Sequence, residues 1–460
     1  MMAGCKTHPA YERPNVDLPA AWAGVAGKSA SPAVVPGERW WTLYGDSALD
    51  TLVGEALEHN RDLALAAARV DEARALSRAA DSLRYPSIDA TAQRDRTRSS
   101  ERSPLPIPAN AIERNSYRAQ INVAYELDLW GRRRGAGDAA RAELLATQAA
   151  QETIRITLVS DVVSRYFTLM ALDEQLAATQ RSLALREENL GMQRVRHGVG
   201  LIGDFQLRQL EAEVAAARAQ LPALERSRTS EELALAVLLG RSPRAITEST
   251  VQRSADRTTG NGPPPVVPEG LPSDLLLRRP DIVQAEQRLI AANARIGVAR
   301  ASLFPRIALT GFLGSESGAL GDLFSGPARI WQLAFALAQP IFQAGRLQSE
   351  IEAVKAREQQ ALAQYQKTLQ ESFREVRQAL SAQTRSREIF EAETARGVAL
   401  RDALRLARIR YENGLVSQLE VIDAERNLLA AELNRLDALR AQRVAVADLV
   451  RALGGGWSEK

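Results

Sequence analysis

Apolar positions in this chain repeat with two periods. Over Leu362, Tyr365, Leu369, Phe373, Val376 and Leu380 the step is three or four residues, with charged flanks. That is the seam of a coiled-coil-like helix. Over Ile121, Val123, Tyr125, Leu127 and Leu129 the step is two, with Asn122, Ala124, Glu126 and Asp128 between. Trp331, Leu333, Phe335 and Leu337 alternate in the same way around Gln332, Ala334 and Ala336. A period of two predicts a strand with one apolar face. Weaker strands are expected at about 87–96 and 306–313, with loops rich in Gly, Pro and Ser at 99–115 and 316–329. Each pair makes one hairpin, and its strands reach the roughly 9–11 residues that cross a bilayer.

Proline sets the helix limits. None occurs between Pro108 and Pro222, and none after Pro340. Pro breaks helix interiors, and these gaps are filled with Ala, Leu, Arg, Glu and Gln, which favour helix. The pattern predicts single helices over 132–197 and 346–411. Each would span about 100 Å at a rise of 1.5 Å per residue. Pro222 predicts a kink in a further long helix rather than a domain boundary.

The chain repeats itself. At an offset of 219, Asp62, Arg69, Ala73, Pro86 and Ile88 match Asp281, Arg288, Ala292, Pro305 and Ile307. At an offset of 214, Arg132, Arg194, Arg196, Gly200, Leu201 and Glu211 match Arg346, Arg408, Arg410, Gly414, Leu415 and Glu425. Two copies of such length mean a duplicated domain rather than a short-period solenoid. Pro263, Pro264, Pro265 and Pro268 mark 242–272 as the linker.

Composition narrows the class. With 45% apolar and 25% charged residues the chain is not wholly disordered. A net charge of +3 gives no electrostatic footprint for nucleic acid, so no nucleic-acid partner is expected. One Cys and three His exclude an intrachain disulfide framework and disfavour a Cys/His zinc cluster. No run approaches the roughly 18 apolar residues of a membrane helix, so a bilayer could be crossed only by a closed β-barrel. The windows 85–130 and 304–342 hold 10 of the 23 aromatics in under a fifth of the chain. An aromatic girdle at a membrane interface gives that bias; so does a soluble sheet with aromatics on its core face. Four strands do not close a barrel, since barrels begin at about eight. A membrane reading therefore requires a ring of identical subunits.

At the N-terminus, Ala3-Gly4-Cys5 looks like the end of a lipoprotein signal, with Cys5 as the lipidated residue. The basic and apolar regions of such a signal do not precede it, which leaves open a start inside a longer signal. Lys6 follows Cys5, and by resemblance to sorted lipoproteins the absence of Asp there favours the outer membrane.

Several segments, in order and over nearly the whole chain, resemble one family: Asn60 to Leu63, Tyr125 to Arg132, Leu271 to Leu276, Arg278 to Ile282, Pro340 to Phe342 and Ala452 to Trp457. They are similar to the outer membrane efflux proteins of the TolC family, in the lipidated OprM/NodT-type branch. The resemblance implies a mainly α protein with a transmembrane β-barrel. A homotrimer would form a 12-strand barrel continuous with a long periplasmic α-helical barrel. It implies an outer membrane exit duct that works with a periplasmic adaptor and an inner-membrane pump of the resistance-nodulation-division type. Drugs or other small toxic compounds would be the cargo. No cofactor is implied beyond the lipid on Cys5, and the protein would be lipid-anchored in the outer membrane and reach into the periplasm.

The implied division begins with a lipidated extended segment at 1–43. Equatorial and barrel helices at 44–86, a β-hairpin at 87–130 and a long helical hairpin at 131–240 follow. An equatorial linker occupies 241–272, then a barrel helix at 273–304 and a second β-hairpin at 305–342. The second long helical hairpin is at 343–453, with a tail at 454–460.

The helix-helix turns at 196–205 and 410–419 would form the periplasmic tip, with Gly198, Gly200 and Gly414 free to take φ > 0. Leu419, Glu420 and Asp423 share one helix face by spacing, which by itself describes an ordinary solvated acidic face. The resemblance makes them the gate, with an apolar ring from Leu419 and acidic rings from Glu420 and Asp423. It also makes Arg410 and Tyr411 the residues that hold the gate shut. Their usual acceptor is an Asp on the first-copy turn; here Gln206 stands in that place, with Asp204 two residues earlier.

No enzyme is expected. His8, His59 and His197 have no metal-ligand or Ser-His-Asp setting. The loose G-x-G-x-x-A from Gly135 to Ala140 opens a long helix and lacks a β-α-β context. Two rival functions remain at this point: an exit duct of the same fold for type I protein secretion, and a soluble coiled-coil scaffold.

Overall fold

The computed structural model describes residues 9–15, 37–102, 108, 112–248, 251–253 and 277–456. Cys5, the proline-rich part of the linker, Leu271 to Leu276 and Trp457 lie outside the described residues. After a 3-10 turn at Trp40–Tyr44 come helices α1 (Ser47–His59) and α2 (Arg61–Ser82) and strands β1 (Ser87–Arg98) and β2 (Glu113–Leu127). Helices α3 (Arg132–Gly198), α4 (Asp204–Leu238), α5 (Pro243–Glu248) and α6 (Pro280–Ala301) follow. Strands β3 (Arg306–Ser317) and β4 (Arg329–Ala338) precede helices α7 (Arg346–Glu412) and α8 (Gln418–Ala452). No described helix is long and apolar enough to cross a membrane.

The two longest helices have 67 residues each and end one residue beyond the limits expected from their patterns. Helix α4 runs unbroken through Pro222. The linker starts not as coil but as α5. Pro243 opens that helix, where its missing N–H leaves no bond unmade, and the Ser242 hydroxyl accepts the N–H of Ala245 at 3.2 Å.

The duplication is visible in the bonding. Asn60 caps α2 through the N–H of Leu63 and donates its amide to the carbonyl of Leu238, at the end of α4. Its counterpart at an offset of 219 is Arg279, which donates at 2.6 Å to the carbonyl of Ala452, at the end of α8. Leu238 and Ala452 are themselves 214 apart. One place in the repeat thus ties down the last helix of its copy with an amide in one case and a guanidinium in the other.

The chain divides into two compact units. One comprises Met1–Asn15, Arg69–Gln148 and Gln284–Gln366. It holds a single antiparallel sheet in the order β1-β2-β3-β4, so β2 and β3 join the two repeats edge to edge. The register sets Ala90, Ile121, Leu313 and Trp331 in one row and Tyr125, Leu309 and Phe335 in another. Asn122, Phe312 and Gln332 fall on the opposite face. That face also carries the Arg118–Glu316 ion pair at 2.6 Å and the Asn122–Thr91 hydrogen bond. The apolar face lies open, with Trp331 76% and Phe335 64% exposed. A soluble sheet with a core face would have buried these side chains. At the foot of the sheet Trp130 stacks on Phe304 at 4.8 Å and donates its indole N–H to the carbonyl of Pro305. In the same unit the N-terminal residues are tied to α6. Arg13 holds Glu286 with two bonds of 2.7 and 2.5 Å, and Asn293 donates to the carbonyl of Pro9.

The other unit comprises Val16–Ala68, Ala149–Val283 and Lys367–Lys460. Its core includes Leu49, Val53, Val162, Tyr166, Phe167, Leu235 and Leu449. Inside it Tyr166 donates to Asp46, the N-cap of α1, and the Arg443 guanidinium lies 5.0 Å from the centre of the Phe167 ring. Both helix-helix turns belong to this unit.

Candidate functional site

The turns are built alike. Where α3 ends, Gly200 takes φ +78°, its N–H reaches the carbonyl of His197, and the N–H of Leu201 reaches that of Arg196, both at 2.9 Å. Where α7 ends, Gly414 takes φ +68°, and the N–H groups of Gly414 and Leu415 reach the carbonyls of Tyr411 and Arg410 at the same distance. This bonding satisfies the last carbonyls of each helix and needs a left-handed residue, which glycine adopts without strain. Gly198 is not used in this way; it is the last residue of α3.

Leu190, Leu207, Leu210 and Val214 form a buried cluster under the first turn, and Ile422 of α8 joins it. The second hairpin therefore packs on the first at the tip, and the polar residues around the turns are brought within reach of one another.

The expected gate residues lie in the first turn and a half of α8. Leu419 is 45% exposed, Glu420 is exposed and Asp423 is half-buried. Each carboxylate has a cation nearby. Arg410 Nη1 lies 3.6 Å from Glu420 Oε2, and Arg426 Nη2 lies 3.0 Å from Asp423 Oδ1. All four side chains are about half exposed, so these pairs are loose and individually weak.

The expected locking residues are engaged differently from the family pattern. Tyr411 Oη accepts from Arg196 Nη1 at 3.3 Å and from Gln193 Nε2 at 3.4 Å. Asp204 lies 2.8 Å from His197 Nε2, across its own turn. Gln206 Oε1 accepts the N–H of Gly203 at 2.7 Å and so caps α4. Within the chain, then, Arg410 and Tyr411 meet Glu420, Arg196 and Gln193, while Asp204 and Gln206 are satisfied locally. Arg196 and Gln193 were not singled out by sequence. Arg196 had a signal, as the repeat counterpart of Arg410, but which hairpin it would reach depends on packing.

Comparison with known proteins follows the same lines. A family model described as "Outer membrane efflux protein" matches residues 52–241 and 271–455. The chain is 34% identical to the outer membrane protein OprJ of Pseudomonas aeruginosa over 463 residues, covering 100% of this chain and 94% of that one. It is 31% identical over 459 residues to the cation efflux system protein CusC of Escherichia coli, covering 100% and 97%. Among solved structures it superimposes on the CmeC outer membrane channel of Campylobacter jejuni with a TM-score of 0.92 and 26% identity, covering 99% of this chain and 96% of that one.

Proposed function

The chain belongs to the outer membrane efflux protein family and is an exit duct in the outer membrane, and on that premise we propose that it is a homotrimer gated at its two helix turns. It extends into the periplasm and works with an adaptor and an inner-membrane pump. The finer assignments are ours: a pump of the resistance-nodulation-division type, drugs or other small toxic compounds as cargo, and a lipid anchor on Cys5. The tie between Arg13 and α6 supports the last of these, because it would hold the segment that follows the anchor against the fold.

The observation that carries the reading is the open apolar face of the four-stranded sheet. It is a third of a 12-strand wall, with lipid-compatible side chains and no closure of its own. Three copies would supply the 12 strands of a barrel. The hairpins of residues 87–130 and 305–342 would then be the membrane part.

In the unit that carries the turns, three copies of Leu419, Glu420 and Asp423 would converge. An apolar ring resists wetting, and rings of carboxylate attract cations and repel anions. Because the ion pairs with Arg410 and Arg426 are loose, the carboxylates remain able to meet a passing cation. The resting duct is therefore expected to prefer cations. Reversal potentials of Asp423→Ala and Glu420→Ala trimers in planar bilayers test this. A reduced cation preference is expected, and a preference identical to the parent protein's would remove these residues from the gate.

A further inference from the structure

Near the hairpin loops the two faces of the sheet carry different charge. The face that bears Trp331 and Leu333 continues along β1 as Arg94, Arg96 and Arg98, and on β4 it begins with Arg329. Its one carboxylate within the strands is Glu113, which lies 3.0 Å from Arg96 and 3.6 Å from Arg98, and Glu101 of the loop adds a contact to Arg98 at 3.3 Å. Arg94 and Arg329 are exposed and have no carboxylate partner among the described residues. Arg94 lies over the Tyr117 ring, 5.6 Å from its centre. On the opposite face the same stretch is balanced, with Asp95 and Glu316 against Arg114 and Arg118. There Arg118 pairs with Glu316 at 2.6 Å, Gln93 donates to Asp95 at 3.0 Å and Arg114 donates to Thr97 at 3.2 Å. The excess of guanidinium is confined to the apolar face.

These arginines start where the apolar band stops. On β3 the face runs from Ile307, in the row of Leu127 and Leu337, to Ser315, in the row of Arg329. At about 3.3 Å per residue that is about 26 Å along the strand, or roughly 20 Å of height at the usual tilt, close to the apolar band of a membrane barrel. Beside Arg329 the face is hollow. The small side chains of Ala92, Ala119 and Ser315 line a cavity of about 650 Å³ together with Ile121, Leu313 and Phe324. We propose that this rim binds a phosphorylated, multiply acylated lipid of the outer leaflet, with phosphates on Arg94 and Arg329 and an acyl chain in the hollow between them. This rests on reading the sheet as part of an outer membrane barrel, whose loops, at the end away from α3 and α7, face the exterior. Guanidinium groups take phosphate through paired, charge-assisted bonds. Arg94 and Arg329 stand on the two edge strands, about 14 Å apart across the sheet at roughly 4.8 Å per strand. Two phosphates on one lipid suit that spacing better than a single zwitterionic head. A guanidinium at the border of hydrocarbon is costly without a counter-charge, and the lipid supplies it.

Native mass spectrometry of the full-length, detergent-purified trimer tests this, with diphosphoryl lipid A and its dephosphorylated form as probes. The parent protein is expected to bind the phosphorylated lipid at least roughly tenfold more tightly, the change that about 1.4 kcal/mol gives. Arg94→Gln with Arg329→Gln should abolish that preference, and Arg94→Lys with Arg329→Lys should keep most of it. Arg114→Gln, at the same level on the other face, should bind as the parent does. Equal binding of the two lipids by the parent protein, or a parental preference in the Gln pair, overturns the proposal. If the Gln pair does not assemble, the comparison of the two lipids on the parent protein decides alone. Conductance in planar bilayers is measured alongside and should be that of the parent in every variant. A lost preference with intact conductance places the lipid at the rim. An absent preference in a conducting parent protein removes the lipid site and leaves the duct, whereas a parent protein that forms no conducting trimer removes both.

Discussion

Arg451 lies between two carboxylates, 3.8 Å from Asp161 and 3.0 Å from Asp448. Even so, both acids are held above the ordinary carboxylate value of 3.8. Burial is the main cause in each case, and Arg451 opposes it without cancelling it; for Asp161, Arg165 also opposes and the charge of Asp448 adds to the rise. An acid whose folded pKa is raised favours the fold while it is protonated. That contribution is present below the unfolded value and is lost as the pH climbs through the folded one. At neutral pH these two residues therefore cost stability. Asp448→Asn should raise the thermal unfolding temperature of the detergent-purified protein at about pH 7, and the gain should vanish near pH 3. A gain of equal size at both values would show that the charge is not the reason. At this scale the placement of Leu419, Glu420 and Asp423 on one face of α8 was legible from helix spacing alone. The partners of Tyr411 were not, since Gln193 and Arg196 reach it through the packing of one hairpin on another, and no local pattern encodes that approach.

Between elements, the duplicated hairpins keep one ion pair and invert another. Arg194–Glu211 joins α3 to α4 at 3.0 Å, and Arg408–Glu425 joins α7 to α8 at 2.8 Å with the same polarity. Farther from the turns, Glu187–Arg218 lies at 2.5 Å and Arg401–Glu432 at 3.5 Å. Positions 187 and 401, and 218 and 432, are also 214 apart, so this second pair has the same place in both copies and opposite sign. Pairing α3 with α8 in place of α4 would set Glu187 against Glu432. The inversion thus marks which helix belongs to which hairpin, in a chain whose two halves otherwise offer nearly the same seam. Exposed pairs of this kind are each worth about 0.2–1 kcal/mol. Arg218→Glu should lower the denaturant midpoint slightly, and adding Glu187→Arg should recover most of the loss. A double variant no better than the single one would mean that the pair contributes no specific contact. Element limits were read well where Gly or Pro marks them, as at the ends of α3 and α7. Strands fared worse: β1 runs to Arg98 and β3 to Ser317, past the expected ends. Thr97 and Arg98 offer no apolar alternation there, and pairing with Arg114 and Glu113 of β2 rather than local preference carries β1 onward.

For the whole molecule, the question is what covers the sheet. Its edges, β1 and β4, have no strand beyond them among the described residues, and its apolar face is open. A long exposed edge is a template for pairing. Closure with two further copies answers both features, with edge joined to edge and the apolar face turned to lipid. Neighbouring residues on β4 separate this from any arrangement in which the sheet stays in water. Leu333 lies on the apolar face and Gln332 on the polar one. Lysine on the lipid side of a barrel strand costs about 2–4 kcal/mol near the midplane, whereas the lumen side is wet. Leu333→Lys is therefore expected to reduce the amount of trimer recovered in the outer membrane fraction, while Gln332→Lys assembles as the parent protein does. Equal recovery of both would mean that the face bearing Leu333 does not meet lipid, and the 12-strand closure would then have to be abandoned. The opposite ranking would turn the barrel inside out, with Leu333 facing the lumen. The register argues against that, because the Arg118–Glu316 pair and the Asn122–Thr91 bond both lie on the Gln332 side, where water can reach them.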